Sequence, residues 1–175
     1  MKALIERLEK KFRVTDPVMQ RADETFFTVD KADAVALITH LREREGFTHL
    51  SFLTAVDWLE DGKFQLTYLL NNNAMKADVG VRVFLDRERP VMESVHHLWK
   101  QAATYQRELK EMFGIDFPGS PRIDEPFILE GWHDIPPYRR DFDTKKYSEE
   151  TYFPRPGRTT HDPADYMKQK LYPEE

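Results

Sequence analysis

The sequence predicts an α+β fold: a mixed or antiparallel sheet with packing helices, followed by an extended C-terminal tail rich in proline and aromatic residues. Three observations carry that expectation. Apolar residues recur at helical spacing in three stretches and at period two in others. Nine of the eleven prolines lie at or beyond Pro118, leaving only Pro17 and Pro90 before it. The expected organisation is therefore a core domain over residues 1–117 and a partner-wrapping tail over 118–175.

Leu4, Ile5, Leu8 and Phe12 fall at helical spacing, and Thr25 to Val29 forms a short strand. Asp30 is placed to cap the next helix, Lys31 to Glu45, whose Ala34, Leu37, Ile38 and Leu41 form one stripe before the stop at Gly46. In the strand from Phe47 to Trp58, the period-two set Leu50, Phe52, Thr54, Val56 and Trp58 shares one face. Asp61-Gly62 then signals a hairpin, because a tight reversal needs positive φ and these residues tolerate it. Phe64, Leu66, Tyr68 and Leu70 repeat the alternation, as do Val79, Val81, Val83 and Leu85 after a polar Asn71-Asn72-Asn73 connection. These three strands make an antiparallel meander. Ser94 to Phe113 reads as a second long helix, ended by Gly114. Beyond it, aromatic residues are frequent and aliphatic ones sparse, a composition that builds no separate core but suits an extended segment lying along another surface.

Composition narrows the chemistry. At 175 residues a single core buries about 70% of the unfolded chain's surface, so folding needs neither disulfide nor metal. Without cysteine the chain has no thiolate for an iron-sulfur cluster and no cysteine nucleophile. The 26 Lys plus Arg against 31 Asp plus Glu leave a net charge of -5, which argues against a phosphate-backbone binder. No run approaches the roughly 20 apolar residues that span a bilayer. Residues 1–12 lack the apolar middle of a signal peptide, so a cytoplasmic chain without its own anchor is expected.

Candidate constellations are few. His96-His97 diverge by about 100° on a helix and do not face one ion. His133-Asp134 and His161-Asp162, if brought together, make a mixed imidazole and carboxylate metal site, the basis of an alternative reading as a stand-alone metal-dependent enzyme. Ordinary loop hydrogen bonding explains the same residues. No Gly-x-Ser-x-Gly turn occurs, and the seven glycines are too dispersed for a phosphate-cradling loop. Arg139-Arg140 and Lys145-Lys146 sit among tail aromatics, which suits either single-stranded nucleic acid or the polar rim of a protein interface. The interleaved Asp141, Asp143, Glu149 and Glu150 favour the protein partner.

One block points to a family. Tyr105-Gln-Arg-Glu-Leu-Lys-Glu-Met-Phe-Gly-Ile-Asp-Phe-Pro-Gly119 resembles the E-R-E-x-x-D-M-F-G-I-x-F-x-G signature of the C-subunit, or 30-kilodalton subunit, family of respiratory complex I. Pro121-Arg122, Ile128-Leu129, Trp132 and Arg139-Arg140-Asp141-Phe142 resemble that family's following elements in order. Gln106 stands where the first signature Glu is found, Lys110 where an aromatic is common, Glu111 for Asp, and Ser120 at the usual His position. With these departures, R-E-L-x-E-M-F-G-I looks more like the subunits of energy-converting, membrane-bound nickel-iron hydrogenases and the related membrane-bound sulfane reductases.

The resemblance implies a noncatalytic scaffold with no cofactor of its own, in the peripheral arm of a ferredoxin-linked complex on the cytoplasmic face of the cell membrane. Its implied partners are a large hydrogenase-like subunit and an iron-sulfur small subunit, with membrane-arm subunits reached indirectly and no nucleic acid. Iron-sulfur clusters and a nickel-iron centre would belong to those partners. The expected interface comprises Arg107 and Glu108, through charge-assisted hydrogen bonds, and Trp132, Tyr138, Arg139, Arg140, Asp141, Phe142, Tyr152 and Phe153. A quinone-reducing or sulfane-reducing complex is the alternative within the same family.

Overall fold

The computed structural model describes residues 1–152 and Met167. A first compact unit spans Met1–Arg139 and a second begins at Arg140. The boundary expected at 117/118 thus falls inside the first unit.

The elements run α1 (Lys2–Glu9), β1 (Val14–Arg21), β2 (Glu24–Val29), α2 (Lys31–Arg44), β3 (His49–Trp58), β4 (Lys63–Asn72), β5 (Ala77–Asp86), α3 (Ala102–Phe113) and α4 (Thr144–Tyr152). The five strands form one sheet in the order β1-β2-β5-β4-β3. Its β3-β4-β5 half is the expected antiparallel meander, while β2 pairs parallel with β5, so the sheet is mixed. The α+β class is as the sequence predicts.

One sheet face is the core. Phe27 and Val29, Val79 to Leu85 at alternate positions, Phe64 to Leu70 at alternate positions, and Leu53 all point inward and are buried. The stripe Ala34, Leu37, Ile38 and Leu41 of α2 packs beneath them, beside β5. Burying each such Leu or Phe contributes about 1.5 to 3 kcal/mol. Tyr68 is fully enclosed there, and burial pushes its phenol well above the ordinary range.

Local structure departs from the expected pattern in several places. Strand β1 escapes sequence reading because Pro17 interrupts it. It is tolerated at the sheet edge, where a register shift between Thr15 and Val18 spans Pro17, and Asp16 takes φ 50°. In β3 a register shift between Leu50 and Phe52 turns the strand over. Leu53, Ala55 and Asp57 face the core, whereas Phe52, Val56 and Trp58, expected to share a face with the buried Leu50, face outward. The β3-β4 reversal is a short 3₁₀ turn, Leu59–Asp61, closed by Gly62 at φ 63°. Asp30 occupies the N-cap of α2 without a side-chain cap bond; its carboxylate pairs with Arg13 at 3.4 Å.

The long helix expected from Ser94 begins only at Ala102. Residues 94–101 are irregular and in turns, pinned at the start of β3: Trp99 Nε1 donates to the carbonyl of Thr48, just before the strand, at 2.7 Å, and Gln101 Nε2 to that of Leu50 at 2.6 Å. In the segment expected to be extended, residues 118–143 form turns without regular structure, but α4 is helical.

Candidate functional site

Helix α3 and the loops that return to it organise the residues singled out in the sequence. Leu109, Met112 and Phe113 face the core, and Gly114 ends the helix at φ 79°. This left-handed turn lets the Gly114 N–H reach the Lys110 carbonyl at 2.9 Å. Asp116 then bridges to the segment after β5: its N–H donates to the Pro90 carbonyl and its carbonyl accepts from the Met92 N–H.

Three side chains of α3 hold the downstream loops. Gln106 is fully buried, and its Oε1 accepts from Ser94 Oγ and Ser120 Oγ, each at 2.8 Å. The Glu111 carboxylate accepts three consecutive backbone N–H groups, from Phe127 (2.6 Å), Ile128 (2.8 Å) and Leu129 (3.1 Å). Such a nest of amides is a stable seat for an anion. Lys110 pairs with both Asp116 and Asp124. Burial works against its charge, but the hydrogen bonds to the two carboxylates prevail and raise its affinity for the proton.

Between α3 and the 123–136 loop lies an open cleft of about 440 Å³, lined in part by Arg107, Lys110, Glu111, Leu129, Trp132 and His133. Arg107 stacks over the Phe127 ring at 5.6 Å and pairs with Glu125 only at 4.0 Å. Glu125 is held more closely by Arg122, whose hydrogen bond lowers its proton affinity. Arg107 Nε is buried with no hydrogen-bond partner among the described residues. The cleft thus sets the Arg107 guanidinium beside the Trp132 indole and the His133 imidazole.

The expected interface residues divide into three groups. Arg107 and Trp132 share this cleft, and Trp132 Nε1 donates to the Ile135 carbonyl at 3.1 Å. Glu108 is half-buried on α3. Tyr138 and Arg139 close the end of α3 instead: the Tyr138 N–H donates to the Met112 carbonyl, its ring meets Phe113 edge-on at 5.6 Å, and Arg139 Nε donates to the Phe113 carbonyl. Arg139 thus has an internal role that its position in the sequence did not suggest. Arg140, Asp141, Phe142 and Tyr152 belong to the second unit, where Phe142 packs on Tyr147 at 5.6 Å. Phe153 lies outside the described residues, as do His161 and Asp162. His133 and Asp134 line the cleft, and among the described residues no group of three or more His, Asp or Glu is arranged to hold a metal.

Sequence reasoning passed over Gln106, Glu111 and Ser120 as mere departures from a motif. Of these Gln106 alone carried a signal, as a polar residue on the face that Ala102, Leu109 and Phe113 bury.

The chain is similar to known proteins over most of its length. The model of the family described as "Respiratory-chain NADH dehydrogenase, 30 Kd subunit" matches residues 27–148, from β2 into α4. The C subunit of the NADH-quinone oxidoreductase of Moorella thermoacetica is 32% identical over 142 residues, covering 81% of this chain and 95% of that protein. The C/D 2 subunit of the NADH-quinone oxidoreductase of Aquifex aeolicus is 30% identical over 143 residues, again 81% of this chain but only 24% of that longer protein. Among solved structures, a chain of the archaeal membrane-bound sulfane sulfur reductase shares the fold with a TM-score of 0.77 at 24% identity, over 93% of this chain and 95% of that one. A fragment of Nqo5 gives 0.56 at 23% identity, over 69% and 96%. By its match from β2 into α4 and its near full-length relative, this chain belongs to the 30-kilodalton subunit family of the respiratory-chain NADH dehydrogenase.

Proposed function

We propose that the protein is a noncatalytic scaffold in the cytoplasm-facing peripheral arm of a membrane-bound, complex I-related oxidoreductase. The observation that carries this reading is the family match across residues 27–148, joined to a relative, named as a C subunit of NADH-quinone oxidoreductase, that this chain covers almost end to end. The architecture agrees with it. The α3 side chains hold loops, and the cleft beside Arg107 and Trp132 would receive a side chain of a partner subunit.

The partners proposed are a large hydrogenase-like subunit and an iron-sulfur small subunit, which would carry the iron-sulfur clusters and a nickel-iron centre. Two relatives support the first pairing: the C/D subunits of Aquifex aeolicus and Phocaeicola vulgatus match this chain over only 24% and 20% of their lengths, as expected where the C portion is one part of a fused polypeptide. Within the family, the departures at Gln106, Lys110, Glu111 and Ser120 favour the branch that holds the membrane-bound nickel-iron hydrogenases and the related sulfane reductases, of which the ferredoxin-linked hydrogenase type is the one proposed. No helix among the described residues is long and apolar enough to cross a membrane, which fits attachment through partner subunits.

The deciding experiment is purification of the tagged chain from its native membranes in mild detergent, with subunit identification and metal analysis. Nickel with iron and membrane subunits is the expected result. Iron without nickel would move the protein to the sulfane-reducing or quinone-reducing branch, and a metal-free single chain would overturn the scaffold reading.

A further inference from the structure

We draw no further inference here: the strongest candidate, the outward apolar patch of the sheet formed by Phe52, Val56 and Trp58 of β3 and Phe84 of β5, carries nothing because nothing in the structure shows what covers it.

Discussion

The Nε of Arg139 donates a 2.7 Å hydrogen bond to the carbonyl oxygen of Phe113, across the C-terminus of α3. The same guanidinium lies over the Phe64 ring at 5.3 Å and passes close above Gly114. Two motif blocks well separated in the chain therefore meet in one contact, where a cation sits at the negative end of a helix.

Glycine at position 114 follows from that contact as well as from φ. A Cβ there would stand 2.7 Å from an Arg139 nitrogen, on a backbone at φ 79°. Gly114→Ala is expected to destabilise the fold by about 1 to 3 kcal/mol in denaturant unfolding. The penalty should be smaller in an Arg139→Ala background, where the clash is gone but the backbone strain remains. Equal penalties in both backgrounds would refute the steric part of the argument.

Glu111 is a second tie. Glu111→Gln can satisfy fewer of the three amides of residues 127–129 and should cost about 1 to 3 kcal/mol. Hydrogen exchange is the discriminating readout: those three amides should lose protection while the β4 and β5 amides keep theirs.

Asp57 is buried beneath the sheet end, gripped by Arg87 through two hydrogen bonds of 2.8 and 3.0 Å. Asp57→Ala removes both of these hydrogen bonds from a largely buried guanidinium that lies over the Phe64 ring, and a loss of about 1 to 3 kcal/mol is expected. An unfolding midpoint like that of the unaltered chain would show that the pair contributes little.

Arg7 and Glu45 tie α1 to the end of α2 through a 2.6 Å ion pair. The hydrogen bond from Arg7 holds the Glu45 carboxyl below its ordinary proton affinity, against a smaller opposing effect of burial. Because the folded-state value is the lower one, the stabilisation is present above the unfolded carboxylate value, about pH 4.3, and lost as pH falls through the folded value. Stability curves of the unaltered chain and Glu45→Gln should therefore differ at neutral pH and converge on acidification. A gap that persists at low pH would assign the effect to something other than the charge.

The first compact unit ends at Arg139. A chain truncated after Phe142 is accordingly expected to keep its cooperative unfolding and to assemble poorly with its partners. Full assembly of the truncated chain would remove the second unit from the interface.

Sequence alone was enough for the α+β class, for α2, and for the strands β4 and β5, because each of these buries a complete periodic stripe and nothing outside the element competes with it. It was also enough for the family, since Arg107, Glu108, Met112, Phe113, Gly114, Ile115, Phe117 and Gly119 stand at the spacing of the signature. Tertiary structure alone decided the rest. A single bulge after Leu50 turned an apolar stripe outward, since a one-residue shift exchanges the faces of a strand. Ser94 to Gln101 kept helical spacing yet formed turns, because Trp99 and Gln101 found the carbonyls of Thr48, just before β3, and Leu50, within it. Arg139 and Glu111 carried no sign of their partners: the groups they bind are backbone carbonyls and amides, which every residue has and which only folding brings within reach.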